Sequence, residues 1–240
     1  MTIRLGVNID HVATIRNARG EKHPDPYFSS IKCLNYGAES ITIHLREDRR
    51  HIKDKDLKLI SSNKSIQLNL EISSNVKMLK IALKYKPNFV CIVPEKRNEI
   101  TTEGGLDLKK NIKKIKFIVE ALNKKKIRTS LFINPSIKDV RLSKKINSKC
   151  IELHTGKISN KIKNNKNFSK EYKKIKLCSL YAKSLGLEVH AGHGMNYKTA
   201  KILSKINEIE EFNIGHFIIG ESIIYGLKKT IQKFKKILKK

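Results

Sequence analysis

Short apolar runs rich in β-branched residues alternate along this chain with longer segments of helical period. The runs predict strands at Arg4–Asn8, Ser40–His44, Ile66–Leu70, Phe89–Val93, Arg128–Ile133 and Cys150–His154, then within LEVHAGHG and EFNIGHFIIGES. Between them the spacing predicts helices over Tyr27–Tyr36, Asp54–Ser62, Asn75–Tyr85, Leu106–Leu122, from Asn134-Pro135 to about Lys145, over Phe168–Leu185, and at the C-terminus. Gly37 and Gly186 stand where helices end, as C′ glycines do. Eight such strand–helix repeats in 240 residues predict an α/β protein, a single-domain (β/α)8 TIM barrel.

The strands end in chemistry. ITIHLREDRRH starts as a buried strand and breaks into His44, Arg46, Glu47, Asp48, Arg49, Arg50 and His51. Imidazole titrates near neutrality and guanidinium grips oxyanions in a fork, a combination suited to phosphorylated, proton-exchanging substrates. Asn8, Asp10 and His11 follow the first strand, with Arg16 and Arg19 beyond and Gly20, Pro24 and Pro26 marking a loop; a capping Asp and a turn is the plainer alternative. Glu71 closes the third strand, where burial would raise its pKa and make it a usable base, unless it only caps a helix.

The connection 94–106 carries Thr101-Thr102 and Gly104-Gly105, as in an active-site lid or a plain surface loop. Glu152 and His154 lie two apart and share a strand face, which a closed barrel would turn inward. Segment 156–167, rich in Lys and Asn, reads as a low-complexity surface loop. His190, Gly192, His193 and Gly194 close the seventh strand, and Gly215, His216 and Gly220 follow the eighth. Two consecutive glycine-rich turns there match the usual phosphate site of such barrels.

Composition changes this picture little. Lys and Arg number 51 against 22 Asp and Glu, a net charge of +29, which by itself points to nucleic acid. The excess is mostly lysine on helix-like segments, and aromatics are 6% with no Trp, poor material for stacking bases. Of the nine arginines, six (Arg16, Arg19, Arg46, Arg49, Arg50, Arg97) fall in candidate loops after strands. The four cysteines show no CxxC pair and read as small buried hydrophobes. No apolar run reaches the ~18 residues of a membrane span, and MTIRLGVNIDH leads straight into a strand without a signal peptide's apolar segment, so a cytoplasmic location is expected. His190-x-x-His193 is the nearest pair to a metal motif, but three residues apart on a strand end gives opposite faces.

GVNIDHVATIRNARG, ITIHLREDRRHI, LNLE, VPEKRNEITTEGGLD, IELHTG, AGHG and EFNIGHFIIG occur in this order from Gly6 to about Leu227. Together they resemble the pyridoxine 5′-phosphate synthase family of de novo vitamin B6 biosynthesis. The resemblance implies a (β/α)8 barrel forming symmetric homo-oligomers, commonly octamers built from dimers. It implies a transferase-type ring closure between 3-amino-2-oxopropyl phosphate and 1-deoxy-D-xylulose 5-phosphate, with no metal or organic cofactor. By the same resemblance His44 and Glu71 form the acid/base pair, His193 donates a proton and Glu152 stabilises a charged intermediate. Asn8, Arg19, Gly194, Gly215 and His216 would bind the amino-ketone phosphate, and Asp10, His11, Arg46, His51 and Thr101 the deoxyxylulose phosphate. His190 stands where the family carries an asparagine, and its nearness in sequence to His193 leads us to expect a perturbed pKa there.

Two other function classes compete. A metal-dependent aldolase or epimerase on the same barrel would lose activity with a chelator and recover with a divalent ion. A nucleic-acid binder, resting on charge alone, would bind RNA with a steep salt dependence.

Overall fold

The computed structural model describes residues 2–95 and 104–239. Strands β1 (Arg4–Asn8), β2 (Ser40–His44), β3 (Leu68–Ser73), β4 (Phe89–Val93), β5 (Arg128–Ile133), β6 (Cys150–His154), β7 (Glu188–Gly192) and β8 (Glu211–Ile214) pair in sequence order, all parallel. β8 returns to β1 through Arg4↔Glu211 to Val7↔Ile214 and closes the barrel. The helices are α1 (Asp10–Arg19), α2 (Pro26–Asn35), α3 (Asp54–Ser62), α4 (Val76–Tyr85), α5 (Leu108–Lys124), α6 (Ile137–Lys145), α7 (Gly156–Lys163), α8 (Ser169–Ser184), α9 (Tyr197–Leu203), α10 (His216–Tyr225) and α11 (Leu227–Leu238). The (β/α)8 expectation is met.

Strand alternation divides the side chains by chemistry. Leu5, Val7, Ile41, Ile43, Leu70, Ile92, Leu131, Ile151, Leu153, Val189 and Phe212 are buried outward, in one core with the helices. The lumen is polar. Ser40 donates to Glu211 across β2 and β8, Thr42 donates to Asn213, and Asn69 donates to Thr42. The β2 and β8 partners meet over Gly6 of the strand between them, where a Cβ would fall 2.1 Å from Asn213 Oδ1 and 2.7 Å from Ser40 Oγ. A small apolar patch of Cys91, Val93 and Phe132 interrupts this polar filling.

The helices follow from local signals. Asp25 caps α2 by accepting from Tyr27 and Phe28 backbone N–H groups, with Pro26 in the first turn. In α5, Ile115, Ile118, Val119 and Leu122 repeat at helical spacing and are buried, while Lys109, Lys110, Lys113, Lys114 and Lys116 face solvent. α11 repeats the design with Ile231, Phe234 and Leu238 inward and lysines outward. Much of the positive charge is therefore solvated helix surface. All four cysteines are buried and unpaired, as expected. No helix among the described residues is long and apolar enough to cross a membrane.

Several expectations are corrected. Gly156–Lys163 is helix α7 rather than the opening of a surface loop: Ile158 and Ile162, one turn apart, are each 1% exposed and anchor it to the core. Strand β3 runs on to Ser73, so Glu71 lies within it and its side chain alternates into the lumen. Arg16 and Arg19 stand on α1, not in a loop. Arg16 is buried and forms a two-pronged ion pair with Asp56, at 2.7 and 2.9 Å, which makes it a structural residue. Gly105 is no free hinge, since its N–H donates to Asn134 Oδ1 and its Cα packs against the end of β5. The rest of the expected lid, 96–103, with Thr101 and Arg97, lies outside the described residues.

The N-terminal end of the barrel is closed by charge. Arg4 and Arg128 both pair with Glu188, Arg4 also with Glu211 at 2.7 Å, around a cavity of about 350 Å³. His190 belongs to this cluster: its Nε2 lies 2.9 Å from Glu188 and its Nδ1 3.8 Å from Glu211. Burial disfavours its charged form, but Cys150, Glu211 and Glu188 outweigh that and hold its pKa well above the usual value. In this fold that end serves stability, and the opposite end carries function.

Candidate active site

At the C-terminal ends of the strands the expected residues meet. His44, last in β2, is buried, and its backbone N–H donates to Asp10 Oδ1 at 2.8 Å. Asp10 opens α1 and is held by Asn8, whose amide donates to Oδ2 at 3.0 Å. The imidazole Nδ1 of His44 lies 3.8 Å from Glu71 Oε2. Burial, with the charges of Glu152 and Asp10, drives the Glu71 pKa well above the usual carboxylate range. A carboxyl whose proton burial holds above the ordinary range, set beside an imidazole, is the raw material for general acid–base work.

Around this pair the loop after β2 folds inward. Arg46 is buried, with Nε 3.7 Å from Asp48 and 3.9 Å from Glu95. His51 places Nδ1 3.9 Å from Asp10, and its ring centroid is 6.1 Å from that of His44. Burial pulls the His51 pKa down; the charges of His44 and Arg46 act the same way, and Asp10 opposes them.

A second group sits over β6 and β7. The rings of His154 and His193 are 4.9 Å apart, and burial plus the His193 charge lowers the His154 pKa to about 4. Burial and nearby Lys163 lower that of His193 as well. His193 takes the left-handed conformation at φ 77°, a strained choice for a residue with a Cβ, and Gly194 follows at φ 76°. Thr155 Oγ1 lies 2.8 Å from the Gly192 carbonyl and 2.7 Å from that of His193, fixing the turn. His190 points to the other end of the barrel, and the groups that shift His193 do not include it. The expected perturbation of His193 by His190 is thereby corrected.

Below this group Glu152 reaches into the lumen, where Asn213 Nδ2 donates to it at 2.7 Å. Gly192 makes the room: a Cβ there would fall 2.1 Å from Glu152 Oε1. Burial raises the Glu152 pKa to about 7, against the pull of His190 and the Asn213 hydrogen bond.

The third group joins β1 and β8. Gly215 is the N-cap of α10, and a Cβ on it would lie 2.9 Å from Asn8 Cβ. His216 starts that helix, its ring 4.9 Å from His11 in a T-shaped contact. Burial and the charges of His216 and His51 lower the His11 pKa, with Asp10 opposing. The start of α10 and the Gly194 turn lie on neighbouring strands and offer backbone N–H groups to an anion.

Arg19 is the exception. It is exposed in the last turn of α1, nine residues along from Asp10, which the helical rise makes about 13 Å. The structure does not bring it to the others within one chain. Sequence reasoning assigned no role to Glu95, whose side chain is 4% exposed and packs on His44, nor to Asn213. Pro94-Glu95 directly after a strand was the available signal for the first, and alternation along β8 for the second.

Two triplets among the described residues bring possible metal-ligand atoms within 4.8 Å of one another: Asp10–His44–Glu71 and Cys150–Glu188–His190. The guanidinium of Arg4 pairs with Glu188 and stands 3.3 Å from His190 Nε2, in the place a cation would need. In the first triplet Asp10 already accepts two hydrogen bonds and burial favours the neutral form of Glu71, which suits proton transfer better than ligation.

The profile of the family described as "Pyridoxal phosphate biosynthesis protein PdxJ" matches residues 5–240. The chain is 64% identical over 237 residues to a pyridoxine 5′-phosphate synthase of Pelagibacter ubique, covering 99% of each. It is 49% identical to the protein of that name from Zymomonas mobilis, covering 98% of this chain and 91% of that one. Among solved structures, the tryptophan synthase A-subunit of Pyrococcus furiosus superposes with a TM-score of 0.63 at 12% identity, covering 99% and 97% of the two chains. Phosphoribosylanthranilate isomerase of Thermotoga maritima gives 0.59 at 11%, covering 98% of each, so these likenesses speak for the barrel alone. Family profile and near-full-length relatives agree: the chain belongs to the PdxJ family.

Proposed function

We propose that the chain is an enzyme that condenses 3-amino-2-oxopropyl phosphate with 1-deoxy-D-xylulose 5-phosphate to pyridoxine 5′-phosphate, releasing inorganic phosphate and water, without a metal or organic cofactor. The relatives' printed name supports the product. The observation that carries the chemistry is the approach of Glu71, its pKa raised by burial, to His44 Nδ1 at 3.8 Å.

Ring closure through an imine, followed by dehydration, phosphate loss and aromatisation, needs protons moved at several carbons. His44 and Glu71 serve one side of the cleft and His193 donates from the other. Glu152, between them in the lumen, stabilises positive charge on the nitrogen of an intermediate. Two phosphate esters need two anion sites. Gly194, Gly215 and His216, with Asn8, receive the amino-ketone phosphate at the start of α10. Arg46, His51, His11 and Asp10, with Thr101, receive the deoxyxylulose phosphate.

Arg19 completes a site by reaching another copy of the chain, in a homo-oligomer of dimers up to an octamer. Its exposure supports this, as do the exposed apolar Ile223, Ile224 and Tyr225 at the end of α10. Mass spectrometry on mixtures of the two esters tests the reading. Pyridoxine 5′-phosphate must form with both present and with neither alone.

A further inference from the structure

The imidazole of His44 lies between two carboxylates. Glu71 approaches Nδ1 at 3.8 Å from β3, and Glu95 approaches Nε2 at 3.4 Å from the end of β4. Glu95 is itself held: its Oε1 accepts the Glu47 backbone N–H at 2.9 Å, and Glu47 Oε1 in turn accepts from Ser73 Oγ at 2.6 Å. The loop after β2 is thus tied to the end of β3 and to the segment after β4. Distances of this length are usual in unliganded sites, where proton-transfer contacts tighten on binding.

The two carboxyls are not equivalent. The proton of Glu71 is held above the ordinary carboxylate range, for the reasons given above. Burial pushes Glu95 up as well, but His44, the Glu47 N–H and Arg46 outweigh it and hold Glu95 below the ordinary range. The lowered group favours its acceptor form and the raised one its donor form. Glu95 is the nearer and the anchored carboxylate, and among the described residues neither His44 Nε2 nor Glu95 Oε2 has a hydrogen-bond partner of its own, so a hydrogen on Nε2 is best placed toward Glu95, which leaves the Nδ1 lone pair on the Glu71 side.

We propose that Glu95 is the positioning residue of the proton-transfer pair, fixing His44 in the tautomer whose Nδ1 lone pair faces Glu71. The role of His44 rests on the function proposed above; its tautomer does not. A carboxylate behind an imidazole sets the ring's orientation and raises its basicity, as in other histidine–carboxylate pairs. The remaining charged groups facing the ring are Asp10 from the start of α1 and Arg46 and His51 from the loop after β2.

The test uses the full chain, as wild type and as Glu95→Gln, Glu95→Asp and Glu95→Ala, each checked for a native melting transition. Long-range 1H–15N spectra of the unliganded wild type read the His44 tautomer without any assay. We expect a protonated Nε2 and a bare Nδ1, and a tautomer mixture in Glu95→Gln. With both phosphate esters, Glu95→Gln should lose about 10–100-fold in kcat. Both KM values should stay near wild type and the acid limb of the pH profile should move down, with Glu95→Asp recovering part of the rate. A wild-type ring protonated on Nδ1 overturns the proposal. So does a folded Glu95→Gln with unchanged kcat and pH profile. If the wild type makes no pyridoxine 5′-phosphate yet shows the expected tautomer shifting in Glu95→Gln, the function fails and the positioning of His44 stands.

Discussion

Asn213 donates a 2.7 Å hydrogen bond to Glu152 over Gly192 of the strand between them, linking β8 to β6 within the barrel. The bond favours the charged carboxylate and opposes the burial that lifts Glu152 to about 7. In Asn213→Ala the Glu152 pKa should climb further. The acid limb of the pH–rate profile should then move to higher pH by about half to one unit, the worth of a hydrogen bond of about 1 kcal/mol. An acid limb that stays in place would separate Glu152 from the rate.

His44→Ala and Glu71→Gln should each lower kcat by about 10²–10⁴-fold, the usual contribution of a positioned acid or base. Neither should unfold the protein. Glu71 also makes a signed stability prediction. Its folded pKa is raised, so as pH rises past the ordinary carboxylate value the unfolded chain releases a proton that the native state retains, and native stability falls. Glu71→Gln removes that loss. Its melting temperature relative to wild type should increase from pH 4 toward pH 8, as calorimetry would read; a flat difference contradicts the protonated state.

Gly215→Ala puts a methyl against Asn8, which would have to move from the start of α10. Crowding of this kind costs about 1–3 kcal/mol. The KM for the amino-ketone phosphate should rise roughly 5- to 100-fold, and that for the deoxyxylulose phosphate should change little. Equal effects on both would dissolve the division into two anion sites.

Arg16→Met strands Asp56, which is also bonded to the Lys53 backbone N–H at 2.9 Å, in a buried place. Breaking such a pair costs about 3–5 kcal/mol. Thermal denaturation should show the loss, while kcat and both KM values of the folded fraction stay near wild type. A large kinetic effect at full stability would return Arg16 to the site.

These outcomes bear on what could be read before folding. Strand ends carry most of the candidate site, and alternation plus abrupt polarity marks them, which is why the sequence singles out His44, Glu71, Glu152, His193 and Gly215 and the fold brings them to one end of the barrel. Arg16 looked like its arginine neighbours because its partner Asp56 is 40 residues away and meets it only once α1 packs near α3. Glu95 was hidden by the charged segment around it, where a carboxylate reads as solvated. Ile158 and Ile162 were masked by the Lys and Asn between them. His190 misled through proximity in sequence: strand β7 turns it into the charged cluster at the far end of the barrel, while His193 lies past the strand in a strained turn.

The most direct test of the central claim follows inorganic phosphate and pyridine absorbance together, on chelator-treated protein given both phosphate esters. The account predicts equal amounts of both products, dependence on both esters, and near-complete loss in His44→Ala and Glu71→Gln. Folded wild-type protein that releases neither product, or whose activity returns only with a divalent ion, would contradict it.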